Sequence, residues 1–368
     1  MVNTVIRIEP YKDDEVNKVL LELLSDNDFL SFVKSNLNKS TSKFLSIPGS
    51  SFLAMQLFKS KIKKLHTIKD FQQQVKAVLA SVVKQTITDF TTEGLNKLDK
   101  NKPYLFIGNH RDITLDSALC NHAIDSIGMD TTYNAIGDNL VSIKWMGDLL
   151  RLNKSFVIAR SGDSKKEIYM NLFKASDFIA QRLSANESVW IAQKQGRSKD
   201  GLDKTDPAVL KMLHIALRKK CAFEDISKHY NIIPCSISYE IDPLAAEKTK
   251  QSLNNETKSK NDDISHIFKG VMMPKGRVHL TFCPPVLGTF SPEELANEID
   301  KSIINNFKIW DTNIYAYQTL YETVNDDEFP NASKYFNDMR SSMTNDELGD
   351  IMSQYANPII AKKELNNE

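Results

Sequence analysis

The sequence predicts an α/β fold: a mixed, mainly parallel central sheet flanked by helices and preceded by a helical N-terminal region. Three observations lead there. After Gly94, short β-rich runs alternate with helical stretches: Tyr104–Ile107, Thr131–Ile136, Phe156–Ala159, Val189–Ala192, Ile232–Ser238 and Arg277–Phe282. Such alternation buries a parallel or mixed sheet between layers of helices. Before Gly94, apolar residues recur at helical spacing instead. With 368 residues, 41% of them hydrophobic and 26% charged, the chain has the composition of a globular protein with a substantial core.

The first helices are expected at 14–38 and 69–93; in the second, Phe71, Val75, Val78, Leu79, Val82, Val83, Ile87 and Phe90 make one continuous stripe. Between them Phe44 to Phe58, with Pro48 and Gly49, reads as a loop followed by a short apolar helix. Further helices are expected at 164–183, 207–219 and 291–307. The last opens with Ser291-Pro292-Glu293-Glu294, a capping serine followed by proline at the first helical position. The strongly polar segment 247–268 reads as a mobile surface insertion. The last forty residues are helical in pattern. The chain thus divides into a helical N-terminal region (1–95), an α/β domain (96–308) interrupted at about 247–268, and a helical C-terminal extension (309–368).

Composition excludes several functions. Lys+Arg and Asp+Glu both number 47, and zero net charge argues against a nucleic-acid partner. The N-terminus lacks the basic start and unbroken apolar core of a secretory signal. Nowhere do 18 consecutive apolar residues occur, so no conventional membrane-spanning helix is expected, while adhesion to a bilayer surface stays open. Cys120, Cys221, Cys235 and Cys283 show no paired spacing and are expected as buried or free thiols in a reducing cytosol. The seven histidines form no ligand cluster, so no metal is expected. A serine hydrolase is disfavoured because there is no Gly-x-Ser-x-Gly elbow.

Four stretches carry candidate chemistry. In Ile107-Gly108-Asn109-His110-Arg111-Asp112-Ile113-Thr114-Leu115-Asp116 a histidine follows an apolar strand and precedes a helix, where open α/β sheets place their sites. An imidazole that deprotonates a hydroxyl needs one nitrogen free and the other held by an acceptor. Asp116 can reach back for that; Asp112, two residues along, suits a helix cap better but is the alternative partner. The second stretch, Lys154 to Arg160, is a strand ending in arginine, whose planar fork holds phosphate or carboxylate oxygens bidentately. The third, Val189 to Gly201, runs from an apolar strand into a basic turn holding Lys194, Gln195, Gly196, Arg197, Ser198 and Lys199, with positive potential for an anion. The fourth, Ile233 to Glu240, is a strand entered through Pro234 and taken singly reads as core.

In this order the four stretches resemble the motifs of the glycerophospholipid acyltransferase superfamily, which includes glycerol-3-phosphate and 1-acylglycerol-3-phosphate acyltransferases. Its first block, Asn-His followed after four residues by Asp, is similar to Asn109-His110 with Asp116. Its second, an aromatic strand ending in arginine, is similar to Phe156–Arg160. Its third, Glu-Gly-x-Arg-Ser or Glu-Gly-Arg-Ser, is similar to Gln195-Gly196-Arg197-Ser198, and its fourth to Pro234–Tyr239. The resemblance spans roughly residues 95–290, and the helical N-terminal region looks like the one preceding the catalytic domain in soluble plastid-type glycerol-3-phosphate acyltransferases. Two departures stand out: five residues, not four, separate His110 from Asp116, and Gln195 replaces the glutamate.

The resemblance implies transfer of a fatty acyl group from an acyl thioester to a hydroxyl of a glycerol-phosphate or lysophospholipid acceptor in membrane lipid synthesis. It implies His110 as general base oriented by Asp116, with Arg160, Lys194, Gln195, Gly196, Arg197 and Ser198 around the acceptor's anionic head group. No bound cofactor is expected; acyl-coenzyme A or acyl-acyl carrier protein would be co-substrate. The partners implied are the acyl donor, acyl carrier protein among the possible carriers, a polar lipid acceptor and the membrane, touched peripherally on its inner face by a cytoplasmic protein. The alternatives are O-acylation of a lyso-amino-acid lipid, motivated by Gln195, and a catalytically silent lipid-binding protein, motivated by the His-Asp spacing.

Overall fold

The computed structural model describes residues 7–40, 50–253 and 260–367. The N-terminal region contributes α1 (Asp13–Leu23), α2 (Asn27–Ser40), α3 (Ser50–Ile62) and α4 (Ile68–Thr86). In α1, Val16, Val19, Leu20 and Leu23 face inward at the three-to-four-residue spacing that makes one helical face. Helix α4 is opened by a reciprocal capping box between Thr67 and Asp70. Much of the expected loop before α3 lies outside the described residues.

The helix expected over 69–93 is split. It stops at Thr86, and β1 (Ile87–Glu93) follows without a connecting loop. The run Ile-Thr-Asp-Phe-Thr-Thr-Glu is rich in β-branched residues, and a waiting partner strand decides its state. Most of the predicted stripe does face the core: Phe71, Val82 and Ile87 are buried and Val75, Leu79, Val83 and Phe90 pack partly buried, but Val78 is 65% exposed.

The remaining elements are β2 (Leu105–Gly108), α5 (Leu115–Ser126), β3 (Tyr133–Gly137), α6 (Lys144–Leu152), β4 (Ser155–Ile158), α7 (Lys165–Ser184), β5 (Val189–Ala192), α8 (Pro207–His214), α9 (Ile226–His229) and β6 (Ile232–Tyr239). After them come α10 (Ala245–Leu253), α11 (Lys260–Met272), β7 (Gly276–Phe282), α12 (Pro292–Asn306), α13 (Asp311–Tyr321), α14 (Pro330–Arg340) and α15 (Asn345–Asn367). Helix α12 carries the capping box read from Ser291 and Glu294.

The seven strands form one sheet in the order β1-β7-β6-β2-β5-β3-β4. All neighbours run parallel except β6 and β7. This is the mixed, mainly parallel sheet the alternation predicts, extended by β1. One face packs with α7, α8 and α12 around Leu105, Phe156, Ile179, Leu210 and Ile299. The other packs with α5 around Phe106, Leu119, Ile233 and Leu280. Two further clusters join the N-terminal helices to α6 through Trp145 and Met146, and the C-terminal helices to Ala245 of α10.

The segment 247–268 differs from the mobile insertion expected. Its described residues lie in α10 and α11, and Lys248, Thr249, Asp263 and His266 are buried. Polar composition is misleading here because these side chains are used inward: Thr249 bonds Asp350 of α15 at 2.6 Å, and Asp263 accepts from Asn139 at 2.9 Å. Buried polar groups with partners are compatible with a packed helix.

Candidate active site

Strand β2 is central, between β5 and β6, and delivers Asn109 and His110 at its carboxyl end. Asn109 is fully buried and ties the strand ends together. Its side chain accepts from the Ile237 amide at 2.8 Å and donates to the Ile237 carbonyl at 3.0 Å and to Asp203 at 3.1 Å. Fixed in this way, the chain turns His110 over the edge of the sheet, with its side chain 15% exposed.

Between the two carboxylates the geometry is decisive. Nδ1 of His110 lies 3.0 Å from Oδ2 of Asp116, and the same oxygen accepts from the backbone amides of Arg111 at 2.8 Å and Asp112 at 2.9 Å. The longer spacing is accommodated because 111–114 form a tight turn before α5, returning Asp116 to the histidine. Asp112 instead caps α5, accepting from the amides of Thr114 at 2.9 Å and Leu115 at 2.8 Å. Burial, and then the nearby charge of Asp116, push the Asp112 carboxyl above the usual carboxylate range.

The basic turn after β5 sits directly beside the histidine: the Ser198 amide donates to the His110 carbonyl at 2.7 Å. Gln195 and Gly196 are exposed at its tip, whereas Arg197 and Ser198 are buried. One terminal nitrogen of Arg197 lies 3.2 Å from Nδ1 of His266 on α11; the other, also buried, has no hydrogen-bond partner among the described residues. Lys194 donates to the Leu202 carbonyl at 3.3 Å, and Ser198 Oγ lies 3.0 Å from the same oxygen, so both fold back onto their own turn. Arg160 emerges at the same sheet edge, but β4 is separated from β2 by β3 and β5. Its backbone amide is held by Asp138, and desolvation lowers its guanidinium pKa.

Several residues that position this site escaped sequence reading. The Arg111 guanidinium lies 4.9 Å from the centre of the Phe307 ring and bonds Asp203 and the Gly201 carbonyl, clamping the first stretch to the third. Lys248 donates to the Arg111 carbonyl at 2.8 Å and pairs with Asp242. Gly270 of α11 packs so closely on Asp112 that a Cβ there would lie 2.2 Å from Oδ2. Apart from the polar content of 247–268, no local pattern announces these contacts. Among the described residues no group of His, Cys, Asp or Glu is arranged to hold a metal ion, and no helix is long and apolar enough to cross a membrane.

Residues 89–238 match the family model described as Acyltransferase. Over this segment the chain is similar to the acyltransferase family. The segment holds the first three stretches and the fourth as far as Ser238, beginning at Asp89 within β1. No curated protein matches the chain. Among solved structures, the 1-acyl-sn-glycerophosphate (LPA) acyltransferase PlsC from Thermotoga maritima aligns with a TM-score of 0.40 and 15% identity, covering 78% of this chain and 92% of that one.

Proposed function

We propose that the protein transfers a fatty acyl group from an acyl thioester to a hydroxyl of a glycerol-phosphate or lysophospholipid acceptor in membrane lipid synthesis. The observation that carries this reading is the His110–Asp116 pair at the carboxyl end of β2, inside the segment that matches the acyltransferase family. With Nδ1–H held by Asp116, Nε2 is the basic nitrogen. It takes the acceptor hydroxyl proton as that oxygen attacks the thioester carbonyl. The tetrahedral intermediate then expels the thiolate, which receives the proton from the imidazolium, so no acyl-enzyme forms. A positioned base supplies roughly 10²–10⁴-fold, and orientation and oxyanion donors supply the rest.

Arg197, supported by Arg160, Lys194, Ser198 and the backbone near Gly196, holds the acceptor's anionic group in this reading. The buried, unpartnered nitrogen of Arg197 supports it, because such a donor gains most from an anion. Acyl-coenzyme A or acyl-acyl carrier protein is the donor, no cofactor is bound, and a cytoplasmic protein meets the inner face of the membrane peripherally. The exposed Gln195, which lacks the glutamate's charge, favours one second reading, O-acylation of a lyso-amino-acid lipid. The test is product formation by the purified protein with radiolabelled acyl-coenzyme A or acyl-acyl carrier protein and a panel of glycerol 3-phosphate, lysophosphatidate and lyso-amino-acid lipid. Histidine-dependent acylation of one acceptor names the substrate; ligand binding without transfer from either donor overturns the enzymatic reading.

A further inference from the structure

Asp116 is 3% exposed, and its two oxygens have different surroundings. Oδ2 takes three donors: His110 Nδ1 and the amides of Arg111 and Asp112. Oδ1 accepts the phenol of Tyr239 at 2.8 Å. Tyr239 ends β6, the strand beside β2, and its ring is packed in the core with Phe106, Leu119 and Val278. The phenol is therefore rigid where it meets the carboxylate.

We propose that Tyr239 is a positioning residue for the His110–Asp116 pair: its hydroxyl holds the carboxylate so that Oδ2 faces the imidazole, and draws part of the negative charge to the far oxygen. The proposal rests on the reading of His110 as base. Burial, reinforced by the charges of Asp116 and Asp112, pushes the phenol pKa well above its ordinary value, so Tyr239 stays protonated and donates throughout the working pH range. Rotation of Asp116 about its side-chain bond would break four hydrogen bonds at once, whereas without the phenol Oδ1 is left buried with no donor among the described residues.

Other charges facing this cluster come from several elements: Arg197 and Lys275 act on Asp112, Lys248 pairs with Asp242, and Asp242 acts on Tyr239. None of these changes when a single hydroxyl is removed from Tyr239. Tyr239→Phe therefore isolates the contact and keeps the ring. Without the phenol the charge of Asp116 is less shared and favours the imidazolium, so the acid limb of the kcat/KM profile moves to higher pH.

The experiment compares wild type, Tyr239→Phe, His110→Ala and Tyr335→Phe, the last removing a half-buried phenol bonded to Tyr355 in the C-terminal cluster. In Tyr239→Phe, kcat should fall about tenfold with acceptor KM unchanged, as for loss of one hydrogen bond to a charged group. The acid limb should rise in pH, and an NMR titration of the His110 imidazole in the ligand-free protein should move the same way. Tyr335→Phe should leave both profiles in place. A lower melting temperature with kcat, profile and imidazole titration unmoved would reduce Tyr239 to packing and overturn the proposal. Full activity in His110→Ala would instead overturn the base, and the imidazole titration still reports on Tyr239 separately.

Discussion

Gly201, in the turn beside the catalytic histidine candidate, lies against Gln354 of α15 so closely that a Cβ at Gly201 would be 2.0 Å from the Gln354 carbonyl oxygen. Its φ of +75° is one that side chains rarely adopt. Nearby, Asn357 of α15 donates to the Asp200 carbonyl at 2.6 Å. The C-terminal helix therefore seats the turn carrying Lys194 to Ser198, although it lies far along the chain.

Gly201→Ala should consequently lower stability by about 3 kcal/mol, combining the disfavoured φ with the overlap. Denaturant unfolding measures this through the transition midpoint. Turnover by the folded fraction should fall as well, because the turn must move away from His110.

His110→Ala should reduce kcat by at least about 10²-fold, the contribution of a positioned general base, while circular dichroism and melting temperature stay near wild type. Retained turnover would exclude it as base.

For the two carboxylates, Asp116→Asn should lower kcat far more than Asp112→Asn. Asp116 accepts from Nδ1 of the histidine, whereas an amide oxygen at 112 can still accept from Thr114 and Leu115. Comparable losses of kcat would contradict this division of labour.

Arg197→Ala should chiefly raise the acceptor KM, by about tenfold or more for a lost charge-assisted contact. Steady-state kinetics with the acceptor varied decides it. A loss confined to kcat would count against head-group binding.

Asp300 supplies a pH test away from the chemistry. Burial pushes its carboxyl up to about 6, although the Thr205 hydroxyl and amide both donate to it. Its folded pKa exceeds the unfolded one, so the stability it contributes is present in acid and is lost as pH rises from about 4 to about 6. Asp300→Asn should match wild type near pH 4 and exceed it by about 3 kcal/mol well above pH 6. Melting curves across that range give the answer.

The sequence by itself determined the alternation of strands and helices, because a strand buried on both faces must be a short apolar run between helical stretches. It also determined the four stretches at one edge, since parallel strands with crossover helices all end on the same side. Phe106, Ile191 and Ile233 are legible for that reason. Only the tertiary structure decided the state of Ile87–Glu93, which becomes β1 because β7 offers a parallel partner. It alone decided that Asp116 rather than Asp112 meets His110, a matter of how 111–114 turn. Tyr239, Lys248, Gly270 and His266 were illegible because each acts on a residue brought near by folding, and no local period records a contact between distant segments.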